Sequence, residues 1–293
     1  MIIMDNIITI TLGVTPRVEY VKPCIDTLRS AYEYSNPEFR KRLKLIIACE
    51  PGGDECRKIC EEIDWINKEL IINEKKMGCR INPYNLLDHA FTISDFNLHI
   101  EDDLLFSKDL FRLLEAYENT ERRYPNKVFV YDLFSYLDKD SNNSIEKYSF
   151  RYGNHFTGLG WATTRNNWKL IKQVWFKDGR HFIKCDYPNK AGWDYGFQCL
   201  MKGANLLALH INYPLTKHIG LHGTNVAGDK EFQAETFDFL KMLEGVAIDD
   251  PAEIVRCGKE IDYHECHWFI LTNVDLNDKK YWNPMPELVA NHK

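Results

Sequence analysis

The chain has 293 residues, of which 44% are hydrophobic and 27% are charged, and its formal net charge at pH 7 is -6. These values exclude intrinsic disorder as the default expectation, and the negative charge argues against a general affinity for nucleic acid phosphates. No apolar run approaches the ~18 residues of a membrane span and no basic segment precedes the first apolar run, so we expect a soluble, cytoplasmic protein.

The first part of the chain alternates between predicted strands and helices. Strands are predicted at residues 7–14, 43–49, 69–72 and 96–100, and helices at 18–34, 54–63, 82–93 and 107–117, the last with Ser107 as its N-cap. Four such alternations predict an α/β fold with a mostly parallel sheet and right-handed crossovers. Because ligands bind beyond the carboxyl ends of parallel strands, we expect Thr15, Arg17, Glu50 and the acids at 101–103 to converge.

The second part of the chain has a less regular pattern. It predicts strands at 128–134, 147–152 and 205–211, and helices at 164–175, 193–202 and 232–243, with a polar loop at 224–231. The sequence contains no internal repeat and no low-complexity tract. One large α/β unit is therefore expected.

Glu101, Asp102 and Asp103 follow an apolar strand directly. Their mutual repulsion destabilises the folded chain unless a positive group binds there. Hard carboxylate oxygens favour Mg²⁺ or Mn²⁺, which complete their coordination with water and phosphate oxygens. A solvated loop before a helix is the alternative reading, and the position at a strand end favours the metal site over it.

Four motifs in order resemble GT-A glycosyltransferases, most closely the N-acetylglucosaminyltransferase I type. They are LHIEDDLLFSKDLF at 98–111, TGLGWATTRNNW at 157–168, GWDYGF at 192–197 and PLTKHIGLHGTN at 214–225. The resemblance implies a GT-A catalytic domain at 1–228, with a donor half at about 1–120 and an acceptor half at about 121–228, followed by a C-terminal extension at 229–293. In one respect the chain departs from the pattern, because Tyr195 follows Asp194 where the family has a second acid.

The resemblance also implies roles for individual residues. Asp103 would bind the metal, with His222 or His218 as a further ligand, and Asp194 would be the general base that makes the transfer inverting. Glu101 would face the donor sugar, Asp102 the ribose or a metal-bound water, and Glu50 the N3–H of uracil. The remaining donor-site candidates, each also readable as an ordinary turn, surface or core residue, are Thr15, Arg17 and Arg80, together with Trp161 and Trp193, which could form an apolar wall for a sugar ring.

The predicted function is thus the transfer of a sugar from a nucleotide diphosphate, with UDP favoured, assisted by Mn²⁺ or Mg²⁺. Two alternatives stay open: a sugar nucleotidyltransferase, disfavoured because GVTPRVEY at 13–20 holds one glycine and one arginine, and a non-catalytic protein that binds sugar nucleotides. The acceptor is not readable from the sequence and could be a glycan, a protein, a small metabolite or a hydroxymethylated DNA base. The sugar itself is equally open.

Overall fold

The computed structural model of the chain describes residues 7–134, 147–154, 156–177, 180–182, 193–220, 245–257 and 282–284. Its helices in chain order are α1 (Val18–Tyr34), α2 (Pro37–Arg40), α3 (Asp54–Glu61), α4 (Gly78–Ile93), α5 (Leu110–Arg123), α6 (Arg165–Trp175), α7 (Trp193–Gly203) and α8 (Pro251–Cys257). Its strands are β1 (Ile8–Val14), β2 (Leu43–Cys49), β3 (Asn67–Ile72), β4 (Phe96–Glu101), β5 (Leu104–Phe106), β6 (Val130–Asp132), β7 (Lys147–Tyr148), β8 (Phe150–Gly153), β9 (Trp161–Thr164), β10 (Phe176–Lys177), β11 (Arg180–Phe182), β12 (Ala208–Ile211), β13 (Thr216–His218), β14 (Ala247–Ile248) and β15 (Trp282–Pro284).

Eight strands form the central sheet, in the order β3-β2-β1-β4-β9-β6-β12-β8. The first four are parallel, with Gly13 of β1 opposite both Ala48 of β2 and Glu101 of β4. β9 is antiparallel to both of its neighbours, β6 and β12 are parallel, and β8 is antiparallel to β12. The predicted α/β architecture with a mixed, mostly parallel sheet is confirmed.

The alternation of side chains along β1 and β4 decides which helices cover each face. Ile8, Ile10, Leu12 and Val14 of β1 point into one hydrophobic core, which also contains the buried sides of α1, α3 and α5. The opposite face carries Thr9, Thr11 and Gly13 and packs against α4. A Cβ on Gly13 would lie 3.3 Å from Nδ2 of Asn82, so the glycine allows the close approach of this helix. Both faces of β1 are therefore covered, which leaves its carboxyl end as the place where a ligand can approach it.

Several predicted boundaries are corrected by the structure. α5 begins at Leu110, and Ser107 is not its N-cap, because residues 104–106 form the unpredicted β5 and the Ser107 amide donates to the carbonyl of Leu215. α4 begins at Gly78, four residues before the predicted start, because the Glu50 carboxylate accepts the first amides of this helix. The predicted strand at 147–152 is divided into β7 and β8. The predictions at 224–231 and 232–243 lie outside the described residues.

A two-stranded pairing brings a distant segment to the carboxyl edge of β4. β13 runs antiparallel to β5, which places His218 opposite Leu104. β5 follows the acidic triplet at once, so β13 is held beside it. None of the helices in the described parts of the chain has the length and apolar composition needed to cross a bilayer.

Candidate functional site

The ends of β1 and β4 are joined through the side chain of Asp102. Its Oδ2 accepts the backbone N–H of Thr15 at 2.7 Å and the Thr15 hydroxyl at 2.6 Å. Thr15 is the first residue after β1, and Asp102 the first after β4, so the parallel register of these strands makes the contact. Thr15, Arg17, Asp102 and Asp103 thus converge as predicted, whereas the carboxylate of Glu50, another expected member, accepts the amides of Met77 and Gly78.

Arg17 lies between the two aspartates of the triplet. It occupies the N-cap position of α1, and its Nη2 lies 2.5 Å from Oδ1 of Asp102 and 3.0 Å from Oδ2 of Asp103. Its Nε donates to the Thr15 hydroxyl at 2.7 Å, which orients the guanidinium plane. Burial lowers the pKa of Arg17, but the charges of Asp102 and Asp103 outweigh it and raise that pKa above its ordinary value.

Asp103 has one engaged and one unengaged oxygen. Its Oδ2 contacts Arg17 and lies 3.6 Å from Nε2 of His218, whereas its buried Oδ1 has no hydrogen-bond partner among the described residues. Burial raises the pKa of Asp103, but His218 and Arg17 outweigh it, so the pKa lies below its ordinary value. The carboxylate is therefore held in its charged form with a lone pair available.

Gly220 closes this part of the site. A Cβ at this position would lie 2.6 Å from Oδ2 of Asp103 and 2.9 Å from Nε2 of His218, so a larger residue would have to displace these two groups. The neighbouring amide of Ile219 donates to the Asp103 carbonyl at 2.8 Å. The segment after β13 is thereby packed directly on the acidic pair.

A divalent cation fits part of this arrangement. The unpartnered oxygen of Asp103 and the imidazole of His218 are ligand types that Mn²⁺ and Mg²⁺ accept to different degrees, Mn²⁺ being the more tolerant of nitrogen. Within the residues that the structure describes, no three His, Cys, Asp or Glu side chains are arranged to hold a metal, since Asp102 is occupied by Thr15 and Arg17. His222, the other predicted ligand, lies outside the described residues. Water and phosphate oxygens would complete such a site.

The carboxylates of Glu101 and Asp194 are close enough for their negative charges to repel each other. Burial, and then the charges of Asp103, Asp102 and Asp194, raise the pKa of Glu101 well above its ordinary value. Asp194 lies in the first turn of α7, beside Trp193. Trp193 and Asp194 are thus brought to the side of the acidic triplet from the other half of the sheet.

Trp161 lies in the core rather than on an open wall of the site. It is fully buried, its ring centroid is 6.1 Å from that of Trp193 and 5.4 Å from that of Phe156, and its Nε1 has no hydrogen-bond partner in the described ranges. Trp161 is the first residue of β9 and lies opposite His99 of β4. Donor contact through Trp161 stays a prediction.

His99 was not identified from the sequence. It points to the same face of β4 as Glu101, its Nδ1 is 3.0 Å from the Thr11 hydroxyl, and its ring lies against Trp161 and Trp193. Burial lowers the pKa of His99 to about 3, so the ring is neutral. The signal was the alternation FNLHIE at 96–101, in which polar side chains occupy every second position of a buried strand.

Glu50 and Arg80 both lie near the start of α4. The Glu50 carboxylate accepts the amide of Met77, the N-cap residue, at 2.8 Å and that of Gly78 at 2.9 Å, so it satisfies two backbone N–H groups at the start of this helix. Arg80 lies in the first turn of α4, and its carbonyl accepts Nε1 of Trp175. Contact of either residue with a nucleobase or phosphate stays a prediction.

A second buried pair lies at the ends of β6 and β12. Nδ1 of His210 is 3.0 Å from Oδ2 of Asp132, both side chains are fully buried, and Oδ1 of Asp132 accepts the Thr157 hydroxyl at 3.4 Å. Burial raises the pKa of Asp132 above its ordinary value. The pair ties the TGLGW segment to the sheet, and its members are too far apart in sequence for a motif to reveal them.

Neither a protein-family model nor a curated protein matches the sequence. Solved structures with a similar fold include residues 1–349 of S. aureus TarS in complex with UDP, at 10% identity and a TM-score of 0.46, covering 70% of this chain and 60% of that one. The mannosyltransferase PcManGT from Pyrobaculum calidifontis in complex with GDP-Man and Mn²⁺ matches at 15% identity and 0.40, covering 57% and 46%. The 4-diphosphocytidyl-2C-methyl-D-erythritol synthase from Anaerococcus prevotii matches at 11% and 0.43, covering 81% and 99%.

The chain thus spans three fifths or less of the length of the TarS and mannosyltransferase chains that it matches. The three solved structures are 10–15% identical in sequence to this chain. What the protein does is therefore inferred from the residues of its own site.

Proposed function

We propose that the protein is an inverting, metal-dependent glycosyltransferase of the GT-A type that moves a sugar from a nucleotide diphosphate, with UDP favoured, to an acceptor hydroxyl. One observation carries the proposal: a buried, ionised Asp103 keeps an oxygen without a partner among the described residues, next to His218 and Arg17, at the carboxyl edge of a parallel sheet. Burying a charged oxygen without a partner is costly, so its retention indicates a cationic ligand.

The site suits a nucleoside diphosphate leaving group. Asp103 and His218 are the proposed residues that hold Mn²⁺ or Mg²⁺, and when bound the cation would neutralise charge on the diphosphate. Arg17 is the proposed second positive contact, because a guanidinium group pairs with phosphate oxygens through two hydrogen bonds. Thr15 and Asp102 support both by fixing the end of β1 against the end of β4.

Asp194 is the proposed general base. It would accept the proton of the acceptor hydroxyl as that oxygen bonds to the anomeric carbon of the donor, while the bond from this carbon to the diphosphate oxygen breaks. The influence of Asp194 on Glu101 supports a position next to the donor sugar. Attack from the side opposite the leaving group inverts the configuration.

The acceptor is a hydroxyl of a glycan, a protein, a small metabolite or a hydroxymethylated DNA base, and the chemistry above is the same for all four.

Glu50 is the proposed contact of the donor's nucleobase. For uracil to meet Glu50, its N3–H would have to share a carboxylate that already accepts the Met77 and Gly78 amides. Carboxylate oxygens have lone pairs for this, so the contact needs no loss of these two hydrogen bonds.

The test is a melting-temperature survey with Mn²⁺ and UDP, GDP, CDP or TDP. We expect a metal-dependent rise with one of them, which is larger with its sugar conjugate. The rise should disappear in Asp103→Asn and persist in Asp95→Asn, a matched acid with 84% of its side chain exposed. No rise with any nucleotide would overturn the proposal.

Two assays separate the proposal from its alternatives. Release of pyrophosphate from a nucleoside triphosphate and a sugar phosphate would instead support a sugar nucleotidyltransferase. Donor binding without hydrolysis, and without transfer to any acceptor, would support a binding protein. We expect slow, Mn²⁺- or Mg²⁺-dependent hydrolysis of the sugar nucleotide by the wild-type chain and none by Asp103→Asn.

A further inference from the structure

Arg17 occupies the place between Asp102 and Asp103 where a cation shared by both carboxylates would lie. One nitrogen, Nη2, contacts Oδ1 of Asp102 at 2.5 Å and Oδ2 of Asp103 at 3.0 Å. The chain itself thus supplies one positive group to Asp102 and to Oδ2 of Asp103, while Oδ1 of Asp103 has no partner in the described parts of the chain. A divalent cation that binds both carboxylates would therefore have to displace this guanidinium group.

The contacts leave little room for a divalent ion that needs both aspartates. Oδ2 of Asp102 accepts two hydrogen bonds from Thr15, and its Oδ1 is taken by Arg17. On Asp103, Arg17 and His218 share Oδ2, which leaves Oδ1 as the oxygen without a partner in the described parts of the chain. A guanidinium ion and a dication at this spacing would also repel each other.

The side chain of Arg17 is more exposed than those of the two acids that it contacts. Arg17 lies at the N-cap of α1, outside the regular helix, and its side chain is 25% exposed while those of Asp102 and Asp103 are 4% and 11% exposed. Its guanidinium carbon lies 4.9 Å from the ring centroid of Tyr20, on the helix side. The acids are fixed by the ends of β1 and β4, whereas the arginine reaches them with a long side chain.

We propose that Arg17 is an internal counter-cation that competes with the divalent ion for Asp102 and Asp103, and that it transfers to the diphosphate when donor and metal bind together. This inference rests on the proposed function. Phosphate oxygens can accept two parallel hydrogen bonds from a guanidinium group, as carboxylate oxygens do. When the Arg17 guanidinium group moves from the acids to the diphosphate, it therefore stays paired with negative charge, and the two carboxylates become available to the metal. The expected consequence is that Mn²⁺ alone binds weakly and that a nucleoside diphosphate strengthens its binding.

The competition is tested by calorimetric titration of the full chain with Mn²⁺ alone, and then with UDP at saturating Mn²⁺. In Arg17→Gln we expect the dissociation constant for Mn²⁺ to fall at least tenfold and that for UDP to rise at least tenfold. Opposite changes for the two ligands identify competition, because general damage to the site would weaken both. Arg29→Gln is the matched control, since it removes an exposed arginine of the same helix.

Each outcome is informative. Mn²⁺ binding by Arg17→Gln that is equal to or weaker than that of the wild type overturns the inference and leaves the proposed function intact. Absence of both Mn²⁺ and UDP binding in the folded wild type overturns both. A gain in Mn²⁺ affinity that survives addition of Asp103→Asn lies elsewhere on the protein and also overturns the inference.

A second variant covers the case in which Arg17→Gln does not fold. Arg17→Lys keeps the positive charge but lacks the planar guanidinium group, whose several N–H donors contact Thr15 and both carboxylates at once. We expect a smaller gain in Mn²⁺ affinity, of about threefold to fivefold. An unchanged or weakened Mn²⁺ affinity in this folded variant would overturn the inference.

Discussion

Trp175 and Trp193 stack face to face, with ring centroids 4.3 Å apart and ring planes 2° from parallel. Trp175 ends α6 and donates its Nε1 proton to the carbonyl of Arg80 in α4 at 2.9 Å. Trp193 begins α7 and directly precedes Asp194. The stack therefore fixes the start of α7 against two other helices and positions the proposed base.

Replacing this stack should affect turnover more than donor binding. In Trp175→Phe, the smaller ring keeps the core filled but loses the hydrogen bond to Arg80 and part of the stacking surface. We expect kcat for sugar transfer or donor hydrolysis to fall about tenfold with the dissociation constant for UDP unchanged. Trp168→Phe is the control, because Trp168 packs on Trp175 but has no ring contact with Trp193 among the described pairs. Equal loss of kcat in both variants would contradict a positioning role.

Asp194→Asn should remove the proton acceptor and retain the fold. We expect kcat to fall about 10²–10⁴-fold with little change in the melting-temperature rise produced by UDP and Mn²⁺. Asp54→Asn is a matched control, because Asp54 is an exposed acid in the first turn of α3, as Asp194 is an acid in the first turn of α7. A kcat of Asp194→Asn within threefold of wild type would exclude Asp194 as the base.

Gly220→Ala should interfere with the metal site by contact alone. The new Cβ would meet Oδ2 of Asp103 at 2.6 Å and Nε2 of His218 at 2.9 Å, so these groups must separate. We expect Mn²⁺ affinity, measured calorimetrically with UDP present, to fall on the order of tenfold or more. Gly52→Ala is the control: its Cβ meets nothing within 4 Å, but its φ of +87° makes alanine cost about 1–2 kcal/mol of stability. The control should lose stability and keep its Mn²⁺ affinity.

His99 should make the protein sensitive to acid. Its pKa is lowered by burial to about 3, whereas the unfolded chain takes up this proton near the ordinary value of 6.5. Stability is therefore complete above pH 6.5 and is lost as the pH falls from there towards 3, by about 3 kcal/mol at pH 4. Urea unfolding at pH 7 and pH 4 should show a smaller loss in His99→Gln than in wild type. Equal losses would contradict the assignment of this sensitivity to His99.

The donor half of the fold could be predicted because its signals are local. β1 and β2 are apolar runs of strand length, β3 ends in a short apolar run, and β4 alternates apolar with polar residues. A predicted helix separates each strand from the next, and this alternation permits few topologies. Among the missed elements, β5 and β9 are only three and four residues long. Their stability comes from pairing with β13 and with β4 and β6, which no local pattern reports.

The acids of the site, and the approach of Thr15 and Arg17 to them, could be predicted, but the individual contacts could not. Three adjacent acids after a buried strand are conspicuous, and the strand end gives their location. The bridge of Arg17 between Asp102 and Asp103 depends on the register of β1 with β4, which no local pattern gives. The Asp132–His210 pair depends in the same way on the pairing of β6 with β12.

The strand order also has a consequence for the assembly of the chain. All partners of β1, β2 and β3 lie within residues 8–101, whereas β6 and β12 reach this part of the sheet only through β9. During synthesis, the four parallel strands can thus pair before β9 exists, and until it arrives β4 is an exposed edge that can pair with other chains. Pulse-labelling hydrogen exchange during refolding should show early protection in β1, β2 and β4 and late protection in β6 and β12; the reverse order would contradict this sequence of events.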